Sequence, residues 1–205
     1  MQRLVIYALG INDVRDIFGA DETLAGRLRE AARAHYSEAP PQRRRWFGPL
    51  LRRDPATEVD PGRPSTADVD ALLSGGFVSS ERVTPCWRLL HVWLAELAPA
   101  SRAVDYDEDL LDRVEWELAT LGLGSDHALR SLAERRLGIP LAPLPGQVVG
   151  YAKHLHAVEV LRHLRPILEL PELTAETAAF VGPIVEVLAA AEGDERLDIL
   201  AIGTV

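Results

Sequence analysis

Residues 3–9 (RLVIYAL) form an almost unbroken apolar, β-branched and aromatic run that stops at Gly10, the pattern of a strand buried on both faces. A second run of this kind, residues 196–203 (RLDILAIG), lies near the other end of the chain. Between them the apolar spacing is mostly helical. Asn12-Asp13 cap a short helix to about Phe18, and Asp21 opens a longer one to about Tyr36, with Leu24, Leu28, Ala31 and Ala32 on one face. Ser65 or Thr66 starts a helix to Leu73, closed by Gly75-Gly76. Thr84-Pro85 starts another to about Ala98, with Leu90, Trp93, Leu94 and Leu97 aligned.

The acidic residues 105–109 predict a helix start, the helix ending at about Leu121 before Gly122-Leu123-Gly124. Ser125 predicts a cap for a helix to Leu137. After the stiff turn of Pro143 and Pro145, the pattern predicts a helix from about Gln147 to Leu164, its last turn disturbed by Pro166. Thr174 caps a final helix to about Ala191, in which Pro183 predicts a kink or a break. One stretch resists both periods. Residues 37–64 hold six of the fourteen prolines and read as a long loop, a class that is usually functional inside a compact domain.

Composition narrows the class. With 205 residues, 47% apolar and 26% charged, the chain fits a single domain over residues 1–205 with a core that needs no disulfides. The net charge of -9 argues against nucleic acid and anionic membrane as partners. One cysteine, Cys86, excludes a disulfide framework or a cysteine-based zinc site. The first residues lack the pattern of a signal peptide, and no run reaches 18 apolar residues, so the expectation is a soluble cytoplasmic protein.

The opening VIYAL strand with its short helix, the Gly150-Tyr151 pair, Glu159-Val160 and the closing LDIL strand together resemble an uncharacterised actinobacterial family of unknown function. The resemblance implies no activity, cofactor or catalytic residue.

Chemistry is concentrated in a few clusters. In residues 154–163 (HLHAVEVLRH), helical spacing puts His156, Glu159 and His163 within a wedge of roughly 60°. Val149, Ala152 and Leu155 fall near that wedge, which predicts an inward-tending, partly apolar side. Two imidazoles and a carboxylate suit Zn or Fe, or Glu159 could orient a histidine base. The simpler reading is that the same groups hydrogen-bond one another and nearby backbone at a helix–helix seam, with Glu159 fixing the tautomers. The order is neither H-E-x-x-H nor Glu-x-x-His.

Cys86 lies in a first helical turn, but His91, five residues on, points about 140° away. Glu108, Asp112 and Glu115 form an acidic stripe that could hold Mg²⁺ or Ca²⁺, or simply face solvent. The loop reverses the charge: Arg43, Arg44, Arg45, Trp46, Phe47, Arg52 and Arg53 suit a protein partner, the chain's own acidic stripe or, less well, nucleic acid. Lys153, the one lysine, reads as a solvated helix position. No phosphate-binding loop, dinucleotide fingerprint or nucleophile elbow occurs.

These readings predict an α+β fold: a mostly helical single domain around a small sheet formed by the N- and C-terminal strands. They predict a non-catalytic, soluble protein-interaction or regulatory module without a cofactor. The alternative is a metal-dependent enzyme built on His156, Glu159 and His163.

Overall fold

The computed structural model describes residues 2–36 and 62–204. The arginine-rich cluster at residues 43–53 therefore lies outside the described residues. The two end runs do form strands and do pair. β1 (Gln2–Ala8) lies antiparallel to β4 (Ile199–Gly203), with Ile6 opposite Ala201. Two further strands flank them, β2 (Ala100–Tyr106) on β1 and β3 (Val149–Ala152) on β4, giving one antiparallel sheet in the order β2-β1-β4-β3. The terminal strands thus occupy the centre. All five residues of β4 are buried, which explains why its sequence is apolar without alternation.

Side chains alternate across this sheet and feed two cores. Ile6, Ala8, Val104, Tyr106, Ile199 and Ala201 face three helices: α5 (Glu108–Thr120), α6 (His154–Leu168) and α7 (Ala175–Glu192). Tyr7, Tyr151, Leu200 and Ile202 face the other four: α1 (Ile11–Asp16), α2 (Glu22–Tyr36), α3 (Thr66–Leu73) and α4 (Val83–Leu97). The result is a helix–sheet–helix sandwich. In the second core, Trp87 and Trp93 are fully buried, and each indole N–H donates to a backbone carbonyl, of Ala142 and Leu28 respectively. Among the described residues, no helix is long and apolar enough to cross a membrane.

Several expected elements change. Residues 100–106 are a strand, so the acidic helix begins only at Glu108, with Asp107 as its cap: the Asp107 carboxylate accepts from Leu110 N at 2.8 Å. The expected helix from Ser125 is two short 3₁₀ turns, Ser125–His127 and Leu129–Ala133. Residues 149–152 belong to β3, and α6 starts after them at His154. Pro183 does not break α7, which is continuous across it, and α6 carries Pro166 in its last turn. A proline deprives a helix of one donor, and burial of Val181, Ile184 and Val187 outweighs that loss in α7.

One carboxylate ties the ends of three elements together. Asp198 is 5% exposed, just before β4. Its Oδ2 accepts from Ile11 N at 3.0 Å and its Oδ1 from His154 N at 3.1 Å, so it serves the first residue of both α1 and α6. Lys153 Nζ completes the cluster at 3.1 Å from Oδ2, with its ammonium 5.6 Å from the centre of the Tyr151 ring. The lysine is therefore an ion-pair partner and not simply a solvated helix residue.

Candidate functional site

The histidine cluster follows from where α6 begins. Lys153 keeps extended backbone geometry as the N-cap, and the next residues turn helical with Ala157, Val160, Leu161 and Leu164 facing the core. That places His156 and His163 half-buried on the flank of the helix and Glu159 on its exposed side. The expected inward setting is corrected accordingly. Leu155 is 78% exposed, while Val149 and Ala152 are strand residues and do not share the helix face.

His156 and His163 open onto a cleft of about 560 Å³, whose opposite wall is the 3₁₀ region with His127 and Ser131. His156 Nε2 lies 2.7 Å from Ser131 Oγ. His163 Nδ1 lies 2.8 Å from the Glu159 backbone carbonyl, and since that oxygen only accepts, Nδ1 carries the proton. The His127 ring stacks on His163 with centroids 3.9 Å apart, and its centre is 6.3 Å from that of His156. Three imidazoles thus share one open cleft, and the Glu159 side chain lines it as well, so the cleft holds all three expected residues together with Asp126, Glu134 and Arg162.

Among the described residues, the Glu159 carboxylate hydrogen-bonds neither ring, and no three His, Cys, Asp or Glu side chains form a group that could hold a metal ion. Ligation of Zn or Fe by His156, Glu159 and His163 would require side chains to leave the positions they occupy here. Ser131 and His156 are at the distance of a nucleophile and its base, yet no carboxylate among the described residues orients the other nitrogen of His156. His127 and Ser131 were not legible as site residues, because both lie in the segment expected to be one regular helix.

The acidic stripe is real, and its counter-charge comes from within the described fold. Arg130 Nη2 lies 3.1 Å from Glu108 and 2.7 Å from Asp112, while Nη1 lies 2.6 Å from Glu115. The backbone N–H of Arg130 also donates to Glu115 at 2.9 Å. Among the described residues, one guanidinium therefore faces three carboxylates, and this patch of them carries a net negative charge.

Beside it on the solvent face of α5, Trp116 is 73% exposed. At 100° per residue it falls between Asp112 and Asp109, opposite the buried Leu111, Val114 and Leu118.

Cys86 is fully buried, and burial, reinforced by the Asp68 charge, pushes its thiol up to about 12. His91 does not meet it; its Nδ1 lies 2.7 Å from the Tyr7 hydroxyl. Burial lowers the affinity of His91 for a proton.

With this geometry in view, the chain was compared with protein-family models, with curated proteins and with solved structures, and none of the three comparisons gives a match.

Proposed function

We propose that the protein is a non-catalytic interaction module whose α5 face, with Trp116 as anchor and Asp109 and Asp112 beside it, takes an arginine- or lysine-bearing segment of a partner protein. The observation that carries this reading is the exposure of Trp116 on an acidic helix, when Trp87 and Trp93 are both fully buried. An indole left in water forgoes a large burial gain, which a partner's aliphatic stems and cationic heads can supply. The net charge of -9 steers such a segment toward the protein.

A seven-residue arginine peptide is a direct probe. It should bind saturably in calorimetry, more weakly as salt is raised. Trp116→Ala and the double change Asp109→Asn, Asp112→Asn should each weaken it, while Phe77→Ala, at another exposed aromatic, should not. Equal binding by all four proteins would refute the assignment.

A metal-dependent enzyme is the second reading; His127, His156, Glu159 and His163 line one cleft, and their side chains would have to turn toward one another to hold an ion. Elemental analysis of purified protein against a His163→Ala variant tests it: stoichiometric Zn or Fe lost in the variant would support it, and no stoichiometric metal in either would refute it.

A further inference from the structure

Glu108, Asp112 and Trp116 follow one another along α5 at intervals of four residues, and all three are exposed. Successive members of such a series are neighbours on a helix surface. At its Glu108 end the row meets a pocket of about 230 Å³ between the sheet and helices α5 and α7. Glu108 and Arg130 line this pocket and both are exposed, so they stand at its mouth. Arg130 joins the mouth to the row: its Nη2 lies 3.1 Å from Glu108 and 2.7 Å from Asp112.

Behind the mouth the lining is apolar. Ile6 of β1, Leu111 of α5, Phe180 and Ile184 of α7 and Leu132 of the 3₁₀ region form the walls. The Tyr106 hydroxyl has no hydrogen-bond partner among the described residues, and with less than 1 Å² of accessible surface it offers an occupant nothing to bond. The walls therefore reward shape and apolar contact alone. A cavity of about 150 Å³ takes benzene, so a phenylalanine ring or a leucine side chain fits in this one.

Resting on the proposed reading of the α5 face, we infer that this pocket seats an apolar side chain of the same basic segment, a phenylalanine or leucine anchor beside its arginines. Charge and lining select different parts of the occupant. Among the described residues, the cluster at the mouth sets three carboxylates against one guanidinium, which draws a cationic segment over the opening. The walls admit only an uncharged, apolar group. Spacing restricts the segment further. Glu108 and Trp116 lie about 12 Å apart along the helix axis, a span of roughly four residues of extended chain. The anchor therefore stands about four positions from the arginine that covers Trp116.

Two seven-residue peptides of equal net charge test this on the wild-type chain: phenylalanine followed by six arginines, and alanine followed by six arginines. Calorimetry reads affinity, and methyl-resolved NMR reads the pocket on Ile6, Leu111, Leu132 and Ile184. The phenylalanine peptide should bind about tenfold more tightly, the order expected for burying one aromatic side chain, and should shift these methyls saturably. The alanine peptide should leave them in place. Ala133→Leu, which fills the pocket from its wall, should bring the two peptides to the same affinity and leave that of the alanine peptide unchanged. Because the peptide pair is compared on the wild type, the test stands even if that variant fails to fold. Equal affinities with unmoved methyls would overturn the anchor and leave the α5 face as a receptor for arginine. Binding of neither peptide would overturn the proposed function and the anchor together. Methyls that respond to free isopropylbenzene but not to the phenylalanine peptide would make the pocket a small-molecule site, which also overturns the anchor.

Discussion

Removing the Asp198 carboxylate should be among the most damaging single-atom-group changes in this protein. Asp198→Ala leaves two helix N-termini without the acceptor that serves them, at Ile11 N and His154 N, in a setting that is 5% exposed. Loss of a helix cap costs about 1–2 kcal/mol, and a hydrogen bond to a buried charge falls in the same range or above. The Lys153 pair adds less, about 1 kcal/mol at most, because the lysine side chain is 45% exposed. Together these give a loss of about 2–5 kcal/mol, a large part of the 5–15 kcal/mol typical of a domain. Asp198→Asn keeps one acceptor oxygen in nearly the same shape and should lose only about 1–2 kcal/mol. Urea unfolding followed by far-UV circular dichroism at pH 7 measures both, and an unchanged m-value would show that the native fold is compared in each case. A loss below about 1 kcal/mol for the Ala variant would refute the idea that this side chain holds α1 and α6 to the start of β4.

Three other outcomes follow from individual side chains. Gly150→Ala would drive a Cβ into the Ala133 backbone, which cannot retreat because Arg135 and Tyr151 bridge the same segments; a loss of about 3 kcal/mol in urea unfolding is expected. Glu117 accepts from Thr177 Oγ1 and from Thr174 N and Oγ1, and these bonds hold its carboxyl below the usual range. Its contribution is therefore complete above the unfolded value near 4.5 and is lost as the pH falls through the lower folded value. Between about pH 5 and pH 3 the thermal midpoint of the wild type should drop more steeply than that of Glu117→Gln. Cys86, with its thiol pushed up to about 12, should resist a thiol reagent at pH 8 in the native protein and react at once in urea. Fast labelling of the folded protein would contradict its burial.

The sequence disclosed the parts whose physics is local. β1 and β4 were legible because largely buried strands leave unbroken apolar runs, and the caps at Ser65 and Thr174 act within a few residues. β2 was hidden by its own position. As an edge strand it exposes Arg102 and Asp105, and its acids resemble a helix start. β3 has four residues, Val149–Ala152, too few to interrupt the periodicity that leads into α6.

The histidine cluster was half legible for the same reason. Spacing put His156 and His163 on one side of a helix, but His127 and Ser131 arrive from a separate segment by tertiary packing alone. Arg130 and the orphaned hydroxyl of Tyr106 carry no sequence signal at all. Each gains its meaning only from what folds around it.

The central pairing of β1 with β4 also sets a timetable for synthesis. β2 is translated early enough to cover one side of β1, but the residues that cover the other side come roughly 190 positions after Ala8, which is on the order of 10–40 s at ordinary ribosomal speeds. For that interval the nascent chain carries an apolar strand with an open flank, a template on which other chains can add. Yield during expression should therefore depend more on chaperone supply and translation rate than the final stability of the molecule would suggest.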